Sequence, residues 1–178
     1  MPAEQNLLRQ LQNADATAFR RIYEKYAPRV YQFALGYLKT SRDAEQIVRD
    51  VFVQLWEKRH TLNDTLPLNG YLFTLTYNLM LSAFRQLHLQ YQFEELQLRT
   101  ESGVEIQEHQ LYQELEQVYQ RAVAQLSPRQ REIYLLSHTG GMPTNHIANR
   151  LRLSPRAVEE QLNQAYASLS DYFEQCTR

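Results

Sequence analysis

Cysteine is almost missing from this sequence: of 178 residues, Cys176 alone carries a thiol. One thiol cannot close an intrachain disulfide, a four-cysteine zinc site is excluded, and a reducing compartment fits best. Glycine and proline are sparse, with five and six residues, far below what low-complexity or collagen-like chains carry. No stretch reaches the ~18 consecutive apolar residues that a membrane span needs, so no membrane insertion is expected. Met1 to Leu11 mixes Glu4, Gln5, Asn6 and Arg9 into its apolar residues, unlike a secretory signal. A cytoplasmic location follows. Charge of one sign is also missing, since 19 Lys and Arg face 20 Asp and Glu. Alternation of β-branched with polar residues never persists, which removes the signal for strands.

The charge balance is uneven along the chain. Residues 1–60 carry 10 basic and 7 acidic side chains, 61–126 carry 3 and 8, and 127–178 carry 6 and 5. That pattern suggests two weakly basic modules joined by an acidic segment, although ordinary surface variation gives the same numbers. At 43% apolar, the chain has enough hydrophobic residues for a real core and too many for disorder.

Helical spacing recurs throughout, so the expected fold class is all-α, with two small helical domains. Asp15 can cap a helix through Phe19, Ile22, Tyr23 and Tyr26, which Pro28 then kinks or restarts before Val30, Phe33, Ala34, Tyr37 and Leu38. Thr40 or Ser41 caps the next helix, where Ala44, Ile47, Val48, Val51, Phe52, Leu55 and Trp56 keep the i, i+3, i+4, i+7 rule. A polar loop, Glu57 to Asn69, leads to a fourth helix from about Gly70 to His88. Tyr71, Leu72, Phe73, Leu75, Leu79, Met80, Leu81 and Phe84 leave it little polar face, so it should be central in the first module. Phe93 to Glu108 loses the period, carries five Glu against one Arg, and reads as a linker. The boundaries are therefore 1–92, an acidic linker 93–108, and 109–178.

The second module opens with a helix from about His109 to Ala124. Ser127-Pro128-Arg129-Gln130 then forms a capping box with proline at the first helical position, and Gly140-Gly141 stop that helix. A short helix with Ile147, Ala148 and Leu151, the turn Arg152-Leu153-Ser154-Pro155, and a long helix with Val158, Leu162, Ala165, Tyr166, Leu169 and Phe173 make a helix-turn-helix pattern. Two-helix corners also occur in folds that never meet DNA, so the corner alone does not settle function.

Catalytic constellations are missing: there is no Gly-rich phosphate loop and no Gly-x-Ser-x-Gly, and histidines 60, 88, 109, 138 and 146 lack metal-ligand spacing. No enzyme activity, cofactor or metal is expected. His146 reads as a solvated helix-face residue, and Glu94 and Glu95 point to different faces.

The order of elements over nearly the whole chain resembles bacterial RNA polymerase sigma factors of the extracytoplasmic-function (ECF) class. The matching stretches are Ala18 to Tyr26, Asp43-Ala44-Glu45 with Asp50 to Trp56, and Gly70 to Leu75 with Asn78. In the second module they are Leu126 to Glu132, Ile147-Ala148, and Ser154 to Glu159. The resemblance implies an alternative sigma factor that binds core RNA polymerase and directs promoter recognition, with a probable anti-sigma factor as a further partner. It implies that Asp43, Asp50, Gln54, Trp56 and Glu57 face the polymerase, on a helix docked to the clamp coiled coil of the largest subunit. Lys58, Arg59, Tyr77, Asn78 and Arg85 would meet the unwound minus-ten element, where splayed bases need stacking and hydrogen bonds. Arg150, Arg152, Ser154, Arg156, Glu159 and Glu160 would meet the minus-35 major groove. The acidic linker would either lie in the transcript path or act as a solvated tether.

Several positions depart from the family pattern. Thr76-Tyr77-Asn78 and Ser82 stand where Ala-Arg-Asn and a later Asp are usual, and Gln86 to Gln90 replace a basic run. Arg152 stands for the turn glycine, His146 for a Glu, and Gln161, Gln164 and Ser168 for basic residues. Both DNA surfaces are electrostatically thin. The rival readings are therefore a divergent sigma-like protein that binds polymerase or a regulator without selecting promoters, and an unrelated helix-turn-helix regulator.

Overall fold

The computed structural model describes the backbone of residues 2–38, 40–98, 103–138 and 140–176, with side chains for 4–38, 40–86, 110–138, 140–173 and 175. The described residues form α1 (Pro2–Gln12), α2 (Ala16–Leu38), α3 (Ser41–Glu57), α4 (Leu68–Leu98), α5 (Gly103–Ala124), α6 (Pro128–His138), α7 (Thr144–Leu151) and α8 (Pro155–Cys176). A 3-10 turn at Arg59–Thr61 follows α3. No strand occurs among them.

Local chemistry sets the helix starts. Asp15 Oδ1 accepts from the backbone N–H of Thr17 at 2.7 Å and of Ala18 at 3.2 Å, satisfying donors that have no partner within α2. Thr40 Oγ1 does the same for Asp43 at the head of α3, at 3.2 Å. Ser127 and Gln130 cap α6 reciprocally: Gln130 N donates to Ser127 Oγ at 3.3 Å, and Ser127 N to Gln130 Oε1 at 3.1 Å. Pro28 lies inside an uninterrupted α2 rather than restarting it. Neighbours explain the tolerance, since Ala27 and Val30 on either side are buried and tertiary packing holds the turn.

Three features depart from the sequence reading. Met1 to Leu11 is not merely a non-signal: α1 buries Leu8 and Leu11, and Arg9 Nε meets Asp64 Oδ2 at 2.5 Å. The proposed linker is helical wherever it is described, because 93–98 complete α4 and 103–108 begin α5; residues 99–102 lie outside the described set. The modules are also not separate bodies on a tether. One hydrophobic cluster runs through both, and its most extensive helix pair is α4 with α8.

Every residue from Leu68 to Tyr77 on α4 is buried. A helix apolar all round needs partners all round, and α4 packs against α2, α3, α5 and α8. Phe173 of α8 completes a three-ring cluster, 5.2 Å from Phe33 and 5.0 Å from Phe73, which are themselves 5.3 Å apart. Asn69 Nδ2 donates to Ser170 Oγ at 2.9 Å, and Asn163 Nδ2 to Thr65 Oγ1 at 2.8 Å. The closest approach is at Gly70, where a Cβ would lie 1.8 Å from the Tyr166 carbonyl oxygen and 2.7 Å from its carbon. Backbone cannot yield as a side chain can. Gly70→Ala should therefore lift α8 from α4 and cost about 1–3 kcal/mol, lowering Tm by roughly 2–4 °C per kcal/mol. A melting curve that superimposes on the wild type would show that this contact is not made in solution.

Candidate polymerase and nucleic-acid interfaces

α3 divides along its axis. Ala44, Ile47, Val48, Val51, Phe52 and Leu55 are buried against α2 and α4, while Asp43 and Glu57 are exposed and Asp50 and Gln54 half-exposed. Asp50 Oδ1 accepts from Gln46 Nε2 at 2.8 Å. Trp56 is half-buried and meets Phe19 edge-on at 5.2 Å. The same edge exposes Val53, at 53%, and Tyr23 of α2 stands 4.7 Å from the Phe52 ring and is 42% exposed. This surface combines carboxylates with unpartnered apolar area.

The residues assigned to the minus-ten element fare unequally. Lys58 and Arg85 are exposed and Asn78 is half-buried. Arg59 is held down: its Nη1 donates to the Trp56 carbonyl at 2.7 Å, and its guanidinium sits 4.5 Å from the Trp56 ring centre. Tyr77 is a correction. Its ring is 3% exposed and stacks on Tyr119 of α5 at 3.9 Å and 5°, so both its faces are covered and no base can stack there. Burial, then the neighbouring Tyr119, push its hydroxyl well above the usual tyrosine pKa.

The helix-turn-helix is formed by α7, Arg152–Ser154 and α8. Ile147, Ala148 and Val158 seal its corner. Arg152 adopts the left-handed conformation, φ 54° and ψ 45°. Its N–H reaches the Asn149 carbonyl at 3.4 Å while Leu153 N reaches Ala148 at 2.9 Å, the paired bonds that close a helix end. A residue with a Cβ pays for that backbone, which glycine adopts freely. Ser154 Oγ accepts from Ala157 N at 3.1 Å, capping α8. Arg150, Arg152, Arg156, Glu159 and Glu160 are all exposed around the turn.

Sequence reasoning singled out Gln54, Lys58 and Asn78 but missed that they meet His138 and Tyr166 at the junction of the two halves. Gln54 and Lys58 from α3 and its end, Tyr71, Leu75, Asn78, Leu79 and Ser82 from α4, Ser137 and His138 of α6, Gly141 and Tyr166 of α8 line one cavity of about 490 Å³. His138 Nε2 is hydrogen-bonded to the Tyr166 hydroxyl, and its ring lies 4.6 Å from Tyr134. Burial, then Lys58, push its pKa down to about 4. Tyr71 is raised to about 12 by burial. A surplus of tyrosines, 12 in the chain, was the available signal, but it carried no address.

The fold defines an all-helical protein with a C-terminal helix-turn-helix. Among the described residues no His, Cys, Asp or Glu cluster could hold a metal, and no helix is long and apolar enough to cross a membrane. Region 2 of the sigma-70 family matches residues 22–89, and sigma-70 region 4 matches 116–169. The chain is 25% identical over 162 residues to the ECF RNA polymerase sigma factor SigL of Mycobacterium tuberculosis, in each of three strains, across 88% of this chain and 89% of the relative. A solved structure of CnrH in complex with the cytosolic domain of CnrY is 22% identical and covers 97% of this chain and 98% of that one, with a TM-score of 0.43. This chain belongs to the sigma-70 family of RNA polymerase sigma factors, in its ECF class.

Arg152→Gly separates the structural from the DNA role of that position. Relief of the left-handed backbone should stabilise the chain by about 0.5–1 kcal/mol. Loss of one phosphate contact should flatten the log-log salt slope of DNA binding by roughly 1. A raised Tm with an unchanged slope would leave Arg152 a turn residue with no DNA contact.

Proposed function

We propose that this chain is an alternative sigma factor that binds core RNA polymerase in the cytoplasm and directs promoter recognition and transcription initiation, without catalysis of its own. The observation that carries this reading is the ordered presence of regions 2 and 4 on two helical halves of one chain. α3 supplies the polymerase contact through Asp43, Asp50, Gln54 and Glu57, with Trp56 at its end. Lys58, Arg59 and Arg85 supply positive charge near the unwound minus-ten element, and Asn78 a hydrogen-bonding side chain. The first turn of α8 enters the minus-35 groove with Arg150, Arg152 and Arg156 on the backbone and Ser154, Glu159 and Glu160 toward base edges.

Exposed Val53 and Tyr23 beside the acidic edge of α3 are apolar area that an anti-sigma factor would cover in the free protein. Run-off transcription with purified core polymerase tests the reading. Specific start sites that depend on this chain support it, whereas polymerase binding without new start sites favours the divergent, non-selecting alternative, for which the thin basic surfaces speak.

Two substitutions refine the assignment. Asp50→Ala with Gln54→Ala should weaken polymerase binding in a pull-down with little change in Tm, because neither side chain is part of the core; undiminished binding would move the docking surface elsewhere. At the other end, Arg150, Arg152 and Arg156 limit the salt slope to roughly −3. Replacing Glu159 and Glu160 with Lys should tighten all duplex binding if these carboxylates merely repel phosphate. It should abolish preference among promoters if one accepts from a cytosine amino group. No change in either would mean that α8 does not face DNA.

A further inference from the structure

His138 occupies an unusual position: it closes α6 exactly where the C-terminal half rests on the N-terminal half. Its ring shares the junction cavity with Lys58, Gln54 and Asn78. The groups facing it are Lys58 from the end of α3, Tyr71 of α4, Tyr134 of its own helix and Tyr166 of α8, its hydrogen-bond partner. No Asp or Glu is among the residues lining that cavity. A proton added to His138 would therefore place a second cation beside Lys58 with no carboxylate in the cavity lining to offset it. In the separated state the ring would keep Tyr134 and Tyr166 of its own half but would lose Lys58 and the covering α4 wall, and so gain water.

We propose that the seat of the C-terminal half on α4 is a latch that acid opens, with His138 as the group whose protonation releases it. The closed latch covers the α4 face and draws Gln54, Lys58 and Asn78 into the junction, so its opening would free side chains to which the proposed function gives polymerase and DNA contacts. That consequence rests on the sigma-factor reading; the latch itself does not.

The sign follows from linkage. Closed, His138 titrates at about 4; open, it would return toward the ordinary value near 6.5. The open state thus binds the proton more tightly. The closed state keeps its full advantage above pH 6.5 and loses it as pH falls from there toward 4. Between pH 7.5 and 5.5 the open-to-closed ratio should rise, by at most about tenfold for a full return to 6.5.

Thiol labelling of the full chain reads that ratio. In a Cys176→Ser background, Thr74→Cys places a thiol on α4 under Tyr134, and Ser170→Cys places one on α8 against Asn69. Rates are divided by those of a free model thiol at each pH. Both should rise several-fold, and by no more than about tenfold, from pH 7.5 to 5.5, while His138→Gln, which keeps a hydrogen-bonding group without a titrating ring, should leave them flat. Val51→Cys on α3 and Val158→Cys in the helix-turn-helix corner, both fully buried and neither among the residues lining the junction cavity, should not change. Flat rates at both junction thiols, an equal rise in His138→Gln, or an equal rise at Val51→Cys and Val158→Cys would each overturn the proposal, the last because it reports unfolding. Because transcription is not the readout, failure here is distinguishable from failure of the sigma-factor reading.

Discussion

The arrangement of this molecule depends on one close approach, the passage of the α8 backbone over Gly70 of α4. Around it, Phe33, Phe73 and Phe173 meet as three mutually contacting rings, Tyr71 meets Tyr166 edge-on at 5.6 Å, and Thr74 Oγ1 pairs with the Tyr134 hydroxyl at 3.1 Å. These contacts bury apolar surface that neither half could cover alone. Each aromatic pair adds about 0.5–1.5 kcal/mol beyond its area. The polar groups at the seam are paired across it, which fixes the register of α8 on α4 as the apolar contacts alone would not.

The same seam positions the candidate interfaces. The polar edge of α3 remains open toward solvent over Asp43, Asp50 and Glu57, but its far end, at Gln54 and Lys58, turns into the junction cavity. On α4, Asn78 faces that cavity, Tyr77 is committed to Tyr119, and Arg85 stands free of both. The helix-turn-helix turn carries its arginines on the exposed side. Docking through the acidic edge of α3 and duplex contact through the α8 turn are thus compatible with the closed arrangement. Full use of the α3 end and of α4 is not.

Much of this was legible because its causes are local. The caps at Asp15, Thr40 and Ser127–Gln130 are decided within four residues, and the stripe on α3 by its own period. The corner of Ile147, Ala148 and Val158 depends on residues close in sequence. What escaped has causes at long range. α4 showed that it must be enclosed, but not that its second partner lies about a hundred residues away in α8. The loss of hydrophobic period over Phe93 to Glu108 reads as a linker, yet the backbone is helical to Leu98 and again from Gly103. Tyr77 looked like a base-stacking residue because an aromatic on a helix carries no mark of what it stacks against. His138 attracted no attention because its environment comes from α3, α4 and α8 together.

The central claim is that the free chain holds its two halves closed through α4 and α8, and that the polymerase contact proposed for the end of α3 would part them. Spin labels on Val53→Cys and Glu160→Cys, in a Cys176→Ser background, measure this directly as a distance distribution in the free chain and in its complex with core polymerase. The account predicts one narrow distance distribution in the free protein and a longer distance in the complex. The same narrow distance in a transcribing complex would contradict it.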